Sequence, residues 1–167
     1  MPNMKQAVTK HNNQVQAKRT PTQAQRSCNC TGGKPCPLIG NCMLEEVIYR
    51  ASAVDQDGAS STYTGLTANT FKQRYNKHNS DFRNRPVEHA TTLATHIWRL
   101  KDKQKDYDIS WSVIDRGTKF KPTHRKCNLC LTEKYNIIFK PSGASQNKRS
   151  ELFSVCKHRK QELLANV

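Results

Sequence analysis

The sequence predicts an α+β fold with a modest core, and three observations carry that prediction. Hydrophobic residues make up 35 % of the 167 residues, thin for a chain that packs one large core. Two short runs rich in β-branched and aromatic residues flank a cluster of turn residues, and a third run alternates strictly. Between and after them lie segments whose apolar residues recur at helical spacing.

The elements follow in order. Residues 1–27 are polar and rich in Gln and Asn, with a short helix expected from Met4 to Gln16. Residues 28–44 hold four cysteines among Gly and Pro. Val47 to Val54 reads as a strand, Asp55 to Ser60 as a turn with Gly58, and Ser61 to Leu66 as the returning strand. Thr67 is a capping residue, predicting a helix to about Asn79. On it Phe71, Tyr75 and Phe82 are expected to face the core. Arg74 and His78, at i and i+4, are expected to share a different face. A second helix is expected from His89 to Lys103, striped by Leu93, Ile97 and Leu100. Tyr107, Ile109, Trp111 and Val113 alternate with polar residues, as in a half-exposed strand. A third helix is expected from Asn128 to Phe139, with Leu129, Leu131, Tyr135, Ile137 and Ile138 inside and Pro141 as its stop. Ser150 to Ala165 reads as a last helix. The order is ββααβα followed by this tail helix.

Charge narrows the function. Lys and Arg number 28 against 13 Asp and Glu, a formal net charge of +15. The first 44 residues carry Lys5, Lys10, Lys18, Arg19, Arg26 and Lys34 and no acid. From Lys119 to Lys160 there are eleven basic residues against Glu133 and Glu151, whereas ten acids lie between Glu45 and Gly117. A basic excess at both ends points to a polyanion such as nucleic acid, bound with steep salt dependence. No apolar run is long enough for a membrane span, and the polar start lacks a signal-peptide stretch, so membrane and secreted locations are not expected.

Seven cysteines without a secretion signal argue against a disulfide framework. Cys28, Cys30, Cys36 and Cys42 lie in a stretch with almost no apolar side chains, where a Zn2+ held by thiolates would supply folding energy. The Cys28-x-Cys30 spacing is tighter than the usual zinc half-site, and free thiols in a linker are the competing reading. His124, Cys127 and Cys130, with Cys156 and His158 to close the set, form a second candidate, against buried cysteines at a helix start.

Glu133 is the only acid between Asp115 and Glu151. One carboxylate can hold a Mg2+ whose other positions go to phosphate and water. The remaining acids are scattered, which disfavours a two-metal nuclease with its clustered carboxylates.

Val47-Ile48-Tyr49 and Tyr63-Thr64-Gly65 on the paired strands, then Arg74, His78, Glu133 and Asn147, resemble the GIY-YIG endonuclease family. The resemblance implies a three-stranded antiparallel sheet flanked by helices, and one site lined by Tyr49, Tyr63, Arg74, His78, Glu133 and Asn147. The strings GLTANTFKQRYNKH, IWRLKDK, YDISWSVI, CNLCLTEKYNI and NKRSEL, with the Cys-rich CNC and CPLIGNC before the first strand, look like the C-terminal endonuclease region of Penelope-like retroelements. The likeness covers roughly residues 28 to 167. It implies a Cys-rich segment at 28–44, a nuclease domain at 45–167, and residues 1–27 as a linker or the end of an upstream reverse transcriptase region. Val47 stands in place of the first motif's Gly, and Thr64 in place of the second motif's Ile.

That family reading implies metal-dependent nicking of nuclear DNA, with Mg2+ or Mn2+ at Glu133. Structural zinc would sit at the cysteines, and element RNA is a further partner. Arg74 would clamp a phosphate oxygen, and a tyrosine would act as general base, its usual value of about 10 lowered by nearby cations. His78 would take the proton onward, and Asn147 would position Glu133's surroundings or a phosphate. The rival readings are a non-catalytic zinc-containing nucleic-acid-binding module and a basic structural protein.

Overall fold

The computed structural model describes residues 3–17, 27–31, 35–88, 90–117 and 127–147, with Cys156 and His158. Its elements are α1 (Met4–Ala17), β1 (Val47–Asp55), β2 (Ser60–Thr67), α2 (Phe71–Arg83), α3 (Thr92–Asp102), β3 (Tyr107–Arg116) and α4 (Asn128–Phe139), then a single 3-10 turn at Pro141–Gly143. This is the α+β order expected. The tail helix and His124 lie outside the described residues. No helix among the described residues is long and apolar enough to cross a membrane.

The sheet is antiparallel with strand order β2-β1-β3. Its hairpin turns on Asp55, whose Oδ1 accepts from the amides of Asp57 (3.0 Å) and Ala59 (2.9 Å), while Gly58 takes the positive φ of 79° that favours glycine. Side chains alternate across β1. Tyr49, Ala51 and Ala53 join Phe71, Leu93, Ala94 and Ile97 in the main core, on the face covered by α2 and α3. Ile48 points the other way and packs on Cys127 and Leu129 at the start of α4. Where β1 meets β3 the register slips: Tyr49 pairs with Val113 but Ile48 with Asp115, leaving Ile114 as the extra residue of a bulge. Asp115 thereby shares the face of Ile48 and accepts from Asn136 Nδ2 on α4 (3.3 Å).

Val47 and Thr64, the two departures from the resembled motifs, each have a local explanation. Val47 is fully buried and lies in the ladder between Thr67 and Arg116, an extended position that a β-branched residue suits. Thr64 is also fully buried, and its hydroxyl donates to the Gly143 carbonyl (2.7 Å), so the extra oxygen is satisfied.

Four expectations need correction. Thr67 ends β2, paired with Val47, and the α2 cap falls on Thr70, whose hydroxyl accepts from Gln73 N. The helix continues past Asn79 to Arg83, supported by the i,i+4 pair Lys77–Asp81 (2.8 Å) and buried Phe82; Pro86 follows shortly. Second, α3 begins at its cap Thr91 rather than at His89. Third, His78 lies on the same buried face of α2 as Phe71 and Phe82, because seven and eleven residues are near-whole numbers of turns. Fourth, Leu131, Tyr135 and Ile138 are about half exposed; Leu129 and Asn136 form the buried face of α4. A helix apolar nearly all round gives periodicity no side to choose.

Ile97 is fully enclosed among apolar neighbours. Ile97→Ala should destabilise the domain by about 2–5 kcal/mol in a urea titration.

Candidate functional site

The site begins where α2 is anchored. The first amides of a helix lack intrahelical partners. Here Phe71 N donates to the Leu44 carbonyl and Lys72 N to the Cys42 carbonyl, both at 2.8 Å. One turn on, Arg74 Nε donates to the Tyr49 hydroxyl (2.8 Å), and a further turn on, His78 Nε2 lies 2.8 Å from the same oxygen.

Tyr49 reaches this point by folding over Gly65, its partner across the hairpin. A Cβ on Gly65 would sit 2.6 Å from the Tyr49 hydroxyl oxygen, so only glycine leaves the path open. Tyr63, two residues earlier on β2, brings its ring to 6.4 Å from Tyr49 and 6.2 Å from His78. Trp111 closes the cluster from β3, 5.9 Å from Tyr49 and 5.3 Å from His78.

Contrary to the lowering expected of a general base, burial pushes the Tyr49 phenol up from its ordinary value. Arg74 pulls it down by charge and hydrogen bond, and the Glu133 carboxylate pushes it up, which places Glu133 within electrostatic reach of the cluster. Burial likewise works against charge on Arg74, but Tyr49 and then Tyr63 outweigh it and hold the guanidinium protonated. Burial, reinforced by Arg74 and Lys77, drives His78 down to about 3.

A histidine held neutral at such a value is a weak proton acceptor. The His78 Nδ1 is buried without a hydrogen-bond partner. A bare lone pair there is better tolerated than an orphaned N–H, which assigns the proton to Nε2. The Tyr49 oxygen then accepts from both Arg74 and His78, which offsets only part of the burial that holds its phenol up.

Asn147 has a structural engagement. Its Oδ1 accepts from Thr64 N and its Nδ2 donates to the Thr64 carbonyl, each at 2.8 Å. It braces β2 beside Tyr63. Of the six expected site residues, Tyr49, Tyr63, Arg74 and His78 form one contiguous cluster, Glu133 acts on it electrostatically, and Asn147 supports the strand beneath. Trp111 and the steric role of Gly65 were missed. Trp111 is legible only as an alternating strand residue, and Gly65 acts through having no side chain.

Both cysteine groups assemble. Cys28, Cys30, Cys36 and Cys42 bring their sulfurs within 4.8 Å of one another, as do Cys127, Cys130 and Cys156 with a ring nitrogen of His158. In the first group Cys42 Sγ lies 3.6 Å from both Cys28 and Cys30, near the edge of about 3.8 Å of a tetrahedron with bonds of about 2.3 Å. The tight Cys28-x-Cys30 pair therefore contributes both thiols. Burial pushes the Cys36 thiol up, yet the Leu38 and Gly40 amides bring it down to about 6. In the second group His158 Nδ1 lies 3.2, 3.3 and 3.4 Å from Cys127, Cys130 and Cys156. Each group could hold a metal such as zinc. Glu133 belongs to neither group.

Comparison with protein-family models, curated proteins and solved structures returns no match for this chain.

The His78 shift has a measurable sign. Its folded value lies below the unfolded one of about 6.5, so the unfolded chain binds more protons between the two. Its contribution is present above about 6.5 and is lost as pH falls toward 3. Melting temperature should drop over that window, more steeply in the parent than in His78→Gln, when both are followed by circular dichroism.

Proposed function

We propose that this chain is a metal-dependent phosphodiesterase that nicks DNA. Within that class its motifs are most similar to the GIY-YIG endonucleases, and among them to the endonuclease region of Penelope-like retroelements, where a freed 3′-OH would prime reverse transcription. The observation that carries the reading is the convergence of Arg74 and His78 on the Tyr49 hydroxyl, with Tyr63 alongside. Isolated tyrosines at these positions would be ordinary core residues; two N–H donors aimed at one buried phenol oxygen make it a candidate base.

In this reading Tyr49 first gives its phenolic proton to solvent, an ionisation that Arg74 assists against burial, and then takes the proton of the attacking water. Arg74 engages Tyr49 through Nε, and its Nη groups grip a non-bridging phosphate oxygen as charge accumulates. Tyr63 orients the water or the phosphate. His78, held neutral, fixes Tyr49 and stays out of the proton transfers. Glu133 would hold Mg2+ or Mn2+, which polarises the phosphate and stabilises the departing 3′ oxygen. Neutralising that carboxylate also removes one of the influences that hold the Tyr49 phenol up. Asn147 keeps β2, and with it Tyr63, in register.

Glu133→Ala should reduce plasmid nicking in Mg2+ at least about 100-fold with an unchanged circular dichroism spectrum. Nicking equal to the parent's would overturn the mechanism. Tyr49→Phe should be more damaging than Tyr63→Phe.

The two Cys/His groups support structural zinc and also favour a second reading, a non-catalytic zinc-containing nucleic-acid-binding module. That module would bind with the same salt dependence and would not cleave, so nicking with and without Mg2+ separates the two. Under either reading, metal analysis should find about two zinc per chain. Cys42→Ser and Cys130→Ser should each lose about one of them.

A further inference from the structure

Next to the tyrosine cluster lies a cleft of about 320 Å3 that the mechanism above leaves unused. It opens between the second half of α2 and the first half of β3. Tyr75 and Trp111 form its aromatic wall, edge to face with centroids 5.7 Å apart, and Tyr107 extends that wall. Asn79, Arg83 and Asp108 supply polar groups. Lys101 also lines the cleft, but its Nζ donates to the Phe82 carbonyl and lies over the Trp98 ring.

Size and chemistry select the occupant. The volume falls at the small end of ligand sites, suited to one flat group rather than a peptide. A phosphate would face the electron-rich faces of the rings. A nucleobase does not meet that objection. Its faces stack on aromatic rings. Its edge carries acceptors for Arg83 and both donors and acceptors for Asn79.

Position points the same way. The Trp111 ring that walls the cleft also lies 5.3 Å from His78 and 5.9 Å from Tyr49. The cleft thus borders the tyrosine cluster through one side chain, and base and phosphate of neighbouring nucleotides are joined through a single sugar. We propose that this cleft receives an unpaired nucleobase of the bound DNA, one flipped out or left single beside the bond to be cut. Choosing a nucleotide as occupant rests on the nuclease reading. The cleft would bias the protein toward sites where a base can leave its stack at low cost, such as mismatches, flaps and single strands.

The test uses binding, so that it stands apart from cleavage. The chain has two tryptophans, Trp98 and Trp111. In a Trp98→Phe background, without Mg2+ and without chelator, Trp111 reports on the cleft. A short oligothymidine should quench its emission, and a blunt duplex should not. Tyr75→Leu should weaken oligothymidine binding about tenfold and leave duplex affinity unchanged. Because Tyr75 also packs on Phe71, Asn79→Ala serves as a second probe outside that ring stack and should weaken the same binding. Equal quenching by both DNAs, or single-strand affinity unmoved by both variants, overturns the proposal whether or not the parent nicks. Selective quenching in a protein that never nicks would keep the cleft and discard the nuclease.

Discussion

Two hydrogen bonds at the start of α2 set the geometry on which the site depends. Phe71 and Lys72 donate to Leu44 and Cys42, so the helix that carries Arg74 and His78 starts from the end of the Cys-rich segment. A helix is stiff over two turns, so fixing its first amides fixes where both side chains arrive. Lys72 adds a side-chain tie to Asn29 in the same segment. The tyrosines come independently, from the hairpin. The site exists where these two rigid parts meet.

The second cysteine group repeats this arrangement. Cys127 caps α4 and Cys130 lies in its first turn, one turn before Glu133. Each group therefore sits at the N-terminus of a helix that bears a candidate site residue. Such a domain has a limited apolar core, and metal held at both helix starts would stabilise the folded state. It would also couple folding to the placement of Arg74, His78 and Glu133.

Much of this was readable from residue types. The hairpin was legible because turn chemistry at Asp55 and Gly58 separates two β-favouring runs. The third strand was legible because Tyr107 to Val113 alternates without exception, and the full extent of α4 followed from its composition and Pro141. The cysteine sets were legible because thiols clustered in Gly- and Pro-rich sequence have few other uses. Harder to read were cap positions, since Thr67 and Thr70 are equally good caps until pairing with Val47 claims the first. The exposed face of α4 was misread because Leu, Tyr and Ile lie on all sides of it. In the candidate site, the residues that converge on Tyr49 could be named from the motif resemblance. That His78 would be pinned neutral, and that Asn147 would hold a strand, depended on burial and tertiary hydrogen bonds that no local pattern encodes.

The engagement of Asn147 reaches beyond the site. β2 lies at one side of the sheet, and a strand in that place presents unpaired amides and carbonyls that can template another chain. Here Asn147 fills both backbone positions of Thr64, Ser145 Oγ accepts from Thr62 N (2.8 Å), and Gln146 N donates to the Thr62 carbonyl (2.9 Å). Three consecutive residues thus act as a short surrogate strand that blunts this edge against self-association. Among the described residues, β3 is left as the side of the sheet where another strand could add.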